Sequence, residues 1–423
     1  MSGTNIIRTI GPLTLACLGI AAETAMAQTN AGGNSGTGLS LTEETDRQLR
    51  DYRWQDAMAA YRSALAADPN DAESWRALGK LLRWNGQLRE SREAYEKALQ
   101  LEPDSTDAAL GVAVSYRYDH DFGRARARYA DAAARWPDDS DVERSIRQFR
   151  REASPRLYAF YENDLSFESW KIGGAAPFLS REEVYYEHEQ EERPDVYLRK
   201  DNKVGYIHYF GVNHFLELTA RFSDYRYDGP VSDFSAIDRF QEYRVRYAFP
   251  ITHRHVVTAR YTARPTRLEN SGATFTSHKV EAEIRSQWNP RFATVVGTGA
   301  LRDLDDDAAS VHDLRNTALV RIGAEYALTR RFRVAANYIT NPDLDNTIRG
   351  TALGQLNYQI NDSWSALYRL RHDDYKRGFN QDAHYLGIRY SPGGHIWAEG
   401  GMKYVKRGSR NGVYPLISIV LRM

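Results

Sequence analysis

The sequence predicts two parts of unlike architecture: an N-terminal α-helical solenoid over 41–153, then a C-terminal transmembrane antiparallel β-barrel of about 14 strands over 155–423. Three observations carry this expectation. A Tyr, Ala, Pro pattern recurs every 34 residues, as Tyr61, Ala64 and Pro69, then Tyr95, Ala98 and Pro103, then Tyr129, Ala132 and Pro137. After Pro155 the apolar residues change from the spacing of a helix to that of a strand. The links between the predicted strands then alternate between short and long, as barrel turns and loops do.

The chain of 423 residues has room for two domains, and its 56 basic and 56 acidic residues give no global charge that would call for nucleic acid. A mean hydropathy of -0.61 excludes a bundle of membrane helices. It does not exclude a barrel, whose strands are apolar on one face only.

Residues 1–27 have the layout of a signal peptide. Arg8 supplies the positive start, Ile10 to Ala22 the apolar stretch, and Ala25-Met26-Ala27 the small-x-small cleavage site. Cys17 follows Thr14-Leu15-Ala16, which lacks the leucine a lipoprotein signal needs three residues earlier. Cleavage after Ala27 leaves no cysteine, which fits an oxidising compartment without providing a disulfide framework. Residues 28–40, with AGGNSGTG at Ala31 to Gly38, are expected to form a flexible linker.

The 34-residue spacing resembles the tetratricopeptide repeat (TPR). Trp75, Leu78, Gly79, Leu82, Ser91, Tyr95, Ala98 and Pro103 occupy its signature positions, with Ser91 where alanine is usual. Ala109, Val112, Ala113, Tyr116, Ala125, Tyr129, Ala132 and Pro137 form the next copy, and Ala57, Tyr61, Ala64 and Pro69 a degenerate first one. Small residues let paired helices approach, large ones fill the gap, and proline ends the second helix. Asp141 to Arg151 is expected to be a polar capping helix. The resemblance implies a concave face built from the first helix of each pair. Its groove positions fall on Arg76, Lys80, Arg83 and Trp84, then on Arg117 and Tyr118. Cations and aromatic faces suit a periplasmic protein partner with an acidic peptide, or a polysaccharide.

In the second part, Leu216, Leu218, Ala220 and Phe222 alternate with Glu217 and Arg221, and Tyr243, Val245, Tyr247 and Phe249 with Arg244 and Arg246. Val280, Ala282 and Ile284 oppose Lys279, Glu281, Glu283 and Arg285, while Ala318, Val320, Ile322 and Ala324 oppose Arg321 and Glu325. With Arg260, Arg369 and Arg371, these charged residues are the expected barrel lumen, and charges of both signs are expected to pair across it and narrow it. Fourteen strands are expected to start near Arg156, Lys203, His214, Arg239, Val256, Phe275, Arg291, Asp313, Phe332, Thr351, Trp364, Ala383, His395 and Gly412. The longest link, Ser166 to Asn202, comes first and would set the start of the first strand in the periplasm. Ile417, Ile419, Leu421 and Met423 alternate to the end of the sequence, the form in which a last strand engages the barrel assembly machinery. Many of the 27 tyrosines fall at strand ends or on the apolar face, where outer-membrane lipid needs an interfacial belt.

The whole layout is similar to the outer-membrane exopolysaccharide export porins of the cellulose, poly-N-acetylglucosamine and Pel systems, and to repeat-bearing YaiO-family barrels. That similarity implies export or assembly of exopolysaccharide across the outer membrane, with the repeats in the periplasm as scaffold. The surface lipoprotein assembly modifiers have the same order of parts, with a barrel of the expected size. Among the 11 histidines, His208, His214, His253, His255 and His278 belong to no nucleophile or metal motif, so neither an enzyme nor a cofactor is expected. Asp303, Asp305, Asp306 and Asp307 form a charged outer loop able to meet divalent ions.

Overall fold

The computed structural model describes residues 54–163, 167–194, 196–228, 237–252, 254–269, 272, 274–289, 291–305, 317–329, 331–340, 348–376, 378–392 and 396–422. The signal peptide, the linker, His253, Asp306, Asp307 and Met423 lie outside the described residues, as do the side chains of Asp303 and Asp305.

Among the described residues six helices precede the strands: α1 (Trp54–Ala67), α2 (Ala72–Trp84), α3 (Leu88–Leu101), α4 (Thr106–Tyr118), α5 (Phe122–Arg135) and α6 (Ser140–Glu152). Their starts are written in the sequence. The Asp71 side chain accepts the Ser74 N–H at 3.0 Å and caps α2. Those bonds to Ser74 hold its carboxyl below the usual range. Asp121 caps α5 through Arg124 N–H, and Asp139 caps α6 through the N–H groups of Asp141 and Val142.

The chain divides into two compact units, one ending at Ser115 and the other running from Tyr116 to Met423. In the first, Ala57, Met58, Tyr61 and Leu65 of α1 meet Leu78, Leu81 and Leu82 of α2 and Ala94 of α3. The Tyr95 ring closes against Gly79, where an added Cβ would lie 3.0 Å from it. Ser91, the departure from the repeat pattern, is fully buried. Its hydroxyl donates to the Gly79 carbonyl at 2.8 Å and meets the Ser115 hydroxyl at 3.0 Å. A polar residue is tolerated there because both of its neighbours are hydrogen-bonding partners.

In the second unit, α6 forms as expected, and it buries Val142 and Phe149 as well as presenting a polar face. Phe149 packs on Tyr129, with ring centroids 5.0 Å apart. The remaining chain makes sixteen strands: β1 (Arg156–Asn163), β2 (Glu168–Phe178), β3 (Glu182–Arg193), β4 (Tyr197–Gly211), β5 (His214–Tyr227), β6 (Ile237–Thr252), β7 (His255–Leu268) and β8 (Thr274–Asn289), then β9 (Phe292–Asp305), β10 (Thr317–Ala327), β11 (Phe332–Thr340), β12 (Ile348–Gln359), β13 (Trp364–Tyr375), β14 (Asn380–Tyr390), β15 (Ile396–Arg407) and β16 (Arg410–Arg422). Each pairs with its sequence neighbours in antiparallel register, and β1 closes the sheet on β16, from Arg156↔Arg422 to Glu162↔Leu416.

Sixteen strands replace the expected fourteen. The additional hairpin, β2 with β3, occupies the segment taken for the longest link, so the true first link is only 164–167. The argument from link length therefore fails for the first loop. The parity argument is unaffected, because adding two strands still brings both ends of the barrel to one side. Connections 179–181, 212–213, 253–254, 290–291, 328–331, 360–363 and 391–395 all lie at that side. Leu179 and Asn213 take positive φ values of 58° and 55°, the left-handed conformation that tight turns require.

The β2–β3 hairpin escaped notice because β3, EEVYYEHEQEER, has few apolar residues on either face. Only Val184 and Tyr186 mark its outward side, and His188, Gln190 and Glu192 continue it toward the open end.

Candidate functional site

Strand alternation gives the barrel two unlike faces. Leu218, Val245, Val280, Ile322, Ile388 and Ile417 are exposed on the outside, as is Leu386 at 66%. Outward aromatics gather at the short-turn end, where Phe292 neighbours Tyr326, Phe332 neighbours Tyr358 and Trp364 neighbours Tyr390.

The opposite face carries the charged residues picked out from the sequence, and every one of them is in an ion pair. Glu217 meets Arg246 at 2.9 Å, and Arg221 meets Asp201. Arg244 pairs with Glu242 at 2.7 Å and Lys279 with Glu281 at 3.2 Å. Glu283 receives Arg260 at 2.6 Å and Arg321 at 2.8 Å. Arg285 meets Glu325 at 3.0 Å, Arg369 meets Glu399 at 2.8 Å and Arg371 meets Asp373 at 2.6 Å.

Three of these pairs lie within one strand, Arg244–Glu242, Lys279–Glu281 and Arg371–Asp373, and the others join adjacent or next-but-one strands, so they brace the wall. They do not span the lumen, as the sequence reading expected. The reason is size: sixteen strands spaced about 4.8 Å and tilted about 40° enclose a backbone cylinder roughly 30 Å across, too wide for two side chains to bridge.

Several partners were invisible in the sequence. Glu187, Glu189 and Glu191 lie on the unrecognised β3, where they meet Lys203 at 3.2 Å, Lys171 at 3.0 Å and Arg199 at 3.0 Å. Glu399, Arg389 and Lys403 fall on β14 and β15, where the sequence WAEGGMK weakens the alternation. The paired Arg and Lys side chains also lie over inward rings. Arg246 covers Phe215 at 4.7 Å, Lys203 covers Tyr185 at 4.4 Å and Arg389 covers Trp397 at 4.7 Å.

Of the expected groove residues, Lys80 is exposed, with its ammonium 5.0 Å from the Trp84 ring. Trp84 packs against the core of the first unit, and Arg83 is half-buried. Arg76 pairs with Glu102 and donates to the Ser105 hydroxyl at 3.2 Å. In the second unit Arg117 is only 2% exposed and pairs with Glu152 of α6 at 3.5 Å. It is therefore not the open groove side chain expected, because the terminal helix covers it. Tyr118 is half-buried beside it, its ring 5.1 Å from the guanidinium.

One cluster went unnoticed in the sequence. Arg181, on the turn between β2 and β3, reaches Asp119 at 3.0 Å and Asp121 at 3.2 Å, both in the connection between α4 and α5. Ser180 donates to Asp121 at 2.9 Å, and His120 stacks on Tyr209 of β4 with centroids 4.3 Å apart. Burial tends to raise the Asp121 carboxyl, but the Arg124 N–H, Ser180 and the Arg181 charge outweigh it and hold the group below its usual range. Burial, reinforced by Arg181, pushes His120 down to about 4.

A docked loop with a depressed His120 takes up fewer protons than a free one. Docking is therefore fully favourable above about pH 6.5 and weakens as pH falls toward 4, by at most about 3 kcal/mol. Hydrogen exchange of residues 116–125, corrected for intrinsic rates, should show protection falling between pH 7 and 4.5, with His120→Phe flattening the profile. Equal protection at both pH values would disprove the role of His120.

The four named histidines that the structure describes are tied to separate partners: His208 to Glu182, His214 to Tyr247, His255 to Ser286 and His278 to Tyr261. Among the described residues no group of acidic, histidine or cysteine side chains is placed to hold a metal ion.

Residues 72–105 match the family model "Tetratricopeptide repeat". No curated protein matches the sequence significantly. Among solved structures, CdiB from Acinetobacter baumannii is similar over 64% of this chain and 60% of its own, at 9% identity and a TM-score of 0.46. A bacterial polysaccharide outer membrane secretin is similar over 64% of this chain and 98% of its own, at 12% identity and a TM-score of 0.43. The Arabidopsis OM64 TPR domain covers 26% of this chain, with 92% of its own length matched, at 14% identity and a TM-score of 0.24. The chain thus spans 60% of the length of CdiB. Its own residues define it: a tetratricopeptide repeat segment joined to a closed antiparallel barrel of sixteen strands.

Proposed function

We propose that this protein is an outer-membrane barrel serving the export or assembly of exopolysaccharide, with its helices on the periplasmic side. The observation that carries this reading is the combination of a closed sheet with an apolar exterior and a charged interior. In lipid every backbone N–H and C=O must be paired within the protein, and a closed barrel does this with no free edge. The outward aromatics at the short-turn end fit the interfacial layer. The chain passes from α6 into β1 at that same end, which in outer-membrane barrels faces the periplasm. A conduit joined in one chain to a scaffolding repeat segment suits a polymer that arrives from the periplasm. The alternative of a lipoprotein-moving barrel rested on a count of about fourteen strands, and sixteen removes that support.

Fractionation tests the location. The protein should be recovered with outer membranes and should migrate faster on a denaturing gel before boiling than after. Recovery in the soluble periplasm would end the membrane reading. A paired substitution sharpens it, since Leu218 points out and Thr219 points in. Leu218→Arg should cost the folded barrel about 2 to 4 kcal/mol in lipid, through a charge facing hydrocarbon. Thr219→Arg should cost less, and equal losses would contradict the assignment of faces.

A further inference from the structure

The ion pairs on the inner wall do not balance evenly around the barrel. Around β3 the inward carboxylates Glu183, Glu187, Glu189, Glu191 and Asp201 are matched by as many cations, Arg156, Lys203, Lys171, Arg199 and Arg221, although Arg199 is shared among Glu189, Glu191 and Asp201. That sector is close to neutral. Elsewhere, among the described residues, two guanidiniums share one carboxylate without a second carboxylate to balance them. Glu283 of β8 takes Arg260 of β7 and Arg321 of β10. Glu399 of β15 takes Arg369 of β13, and Arg389 of β14 at 2.9 Å. Each of these triads carries a net positive charge. Arg333 of β11, also on the inward register, has no ion-pair partner among the described residues and adds to the same sign.

The two triads are not neighbours. β8 and β15 are seven strands apart in a ring of sixteen, so they stand on nearly opposite walls. Their heights follow from the register. Paired residues lead from Glu283 across the ladders through Gly297, Arg321, Ile339, Thr351, Asp373 and Gln381 to Arg407 on β15. Strand tilt in a closed barrel of this kind moves that row by about one residue per strand. Seven strands of stagger bring the level of Glu283 from Arg407 back to the neighbourhood of Glu399. The lumen is therefore ringed at one depth by two opposed clusters of net positive charge, in a chain whose overall formal charge is zero.

We propose that this ring makes the lumen selective for anions and that the polymer it admits is an acidic polysaccharide. The proposal rests on the export reading and names its substrate class. Guanidiniums already held in place by a shared carboxylate keep donors free for a passing carboxylate, sulfate or phosphate, and a low-dielectric wall strengthens that attraction. A neutral sugar chain would gain nothing from the arrangement. Sharing one carboxylate also leaves each guanidinium incompletely neutralised, so a polyanion can bind and release along the ring without breaking the wall.

The experiment uses the full mature protein in planar bilayers, after heat-modifiable mobility has shown that it is folded and inserted. Under a potassium chloride gradient the reversal potential should give a chloride-to-potassium permeability ratio above one. Dextran sulfate should block the current, and the block should weaken as salt rises, because screening shortens the reach of the ring. Neutral dextran of the same length should block far less. The double variant Arg321→Gln with Arg389→Gln leaves both glutamates paired, with Arg260 and Arg369, so the wall survives. It should move the permeability ratio toward one and weaken the dextran sulfate block. Arg333→Gln, which breaks no ion pair, should do the same to a smaller degree. Cation selectivity, equal block by both dextrans, unchanged selectivity in the double variant or an inserted barrel that passes no ions would each overturn the proposal. Failure to insert at all would instead overturn the export reading on which it rests.

Discussion

Replacing Glu399 with alanine should lower the stability of the detergent-folded barrel by about 3 to 5 kcal/mol, the cost of leaving buried charge without its counter-charge. Glu399 is 3% exposed and holds both Arg369 and Arg389. Its loss leaves two guanidiniums close together with no carboxylate between them. Glu325 provides the comparison, since its side chain is 41% exposed and it meets Arg285 alone. Glu325→Ala should cost no more than about 1 kcal/mol. Urea titration followed by the mobility shift on an unboiled gel measures both. A triple change of Glu399→Leu with Arg369→Met and Arg389→Met should recover much of the loss, because the apolar set carries no desolvation penalty. Equal effects of Glu399→Ala and Glu325→Ala would show that the triad contributes nothing beyond an ordinary surface pair.

Tyr95→Ala should have an effect of similar size in the other unit, about 3 to 5 kcal/mol. Its side chain is 2% exposed and fills the space left by Gly79 and Gly111. Removing the ring opens a cavity against Gly79 of α2 and Gly111 of α4, neither of which has a side chain to fill it. A stack this short has little stability in reserve. The helical signal in circular dichroism should therefore melt at a much lower temperature, while the barrel still runs as a folded species on an unboiled gel. Lys80→Ala, at an exposed site on α2, should stay within about 0.5 kcal/mol of the parent. Loss of both transitions together in Tyr95→Ala would show that the helices and the barrel unfold as one body.

The helices were legible because their signals are local. Tyr61, Tyr95 and Tyr129 mark the repeat, Pro69, Pro103 and Pro137 end the helices, and Asp71, Asp121 and Asp139 cap the starts. Most strands were legible because lipid demands an apolar outer face, as in Leu216 to Phe222 on β5. The β2–β3 hairpin was not, because polar residues continue the outward side of β3 beyond Val184 and Tyr186 and because Gly173, Gly174 and Pro177 imitate a loop. On the strands that were recognised, some inward charges, such as Arg244 and Arg369, could be picked out by parity alone. Their partners could not, since Arg321 with Glu283 depends on the stagger between three strands, which no local pattern encodes. Burial of Arg117 was hidden for a similar reason, because it depends on where α6 folds back.

The closing ladder between β1 and β16 sets a kinetic constraint on the barrel. Every other ladder joins strands that follow one another in sequence, so each can zip as a hairpin soon after its turn forms. The Lys403–Glu162 pair beside this seam brings together groups 241 residues apart. The entropy of gathering so long a loop must be met before the seam returns any favourable contact. Until then the sheet is an open ribbon with two unsatisfied edges, each a template for pairing with another copy. Arrival of the last strand is therefore the step at which assembly either completes or diverts into aggregation. Shortening β16 should slow closure far more than shortening any inner strand by the same length.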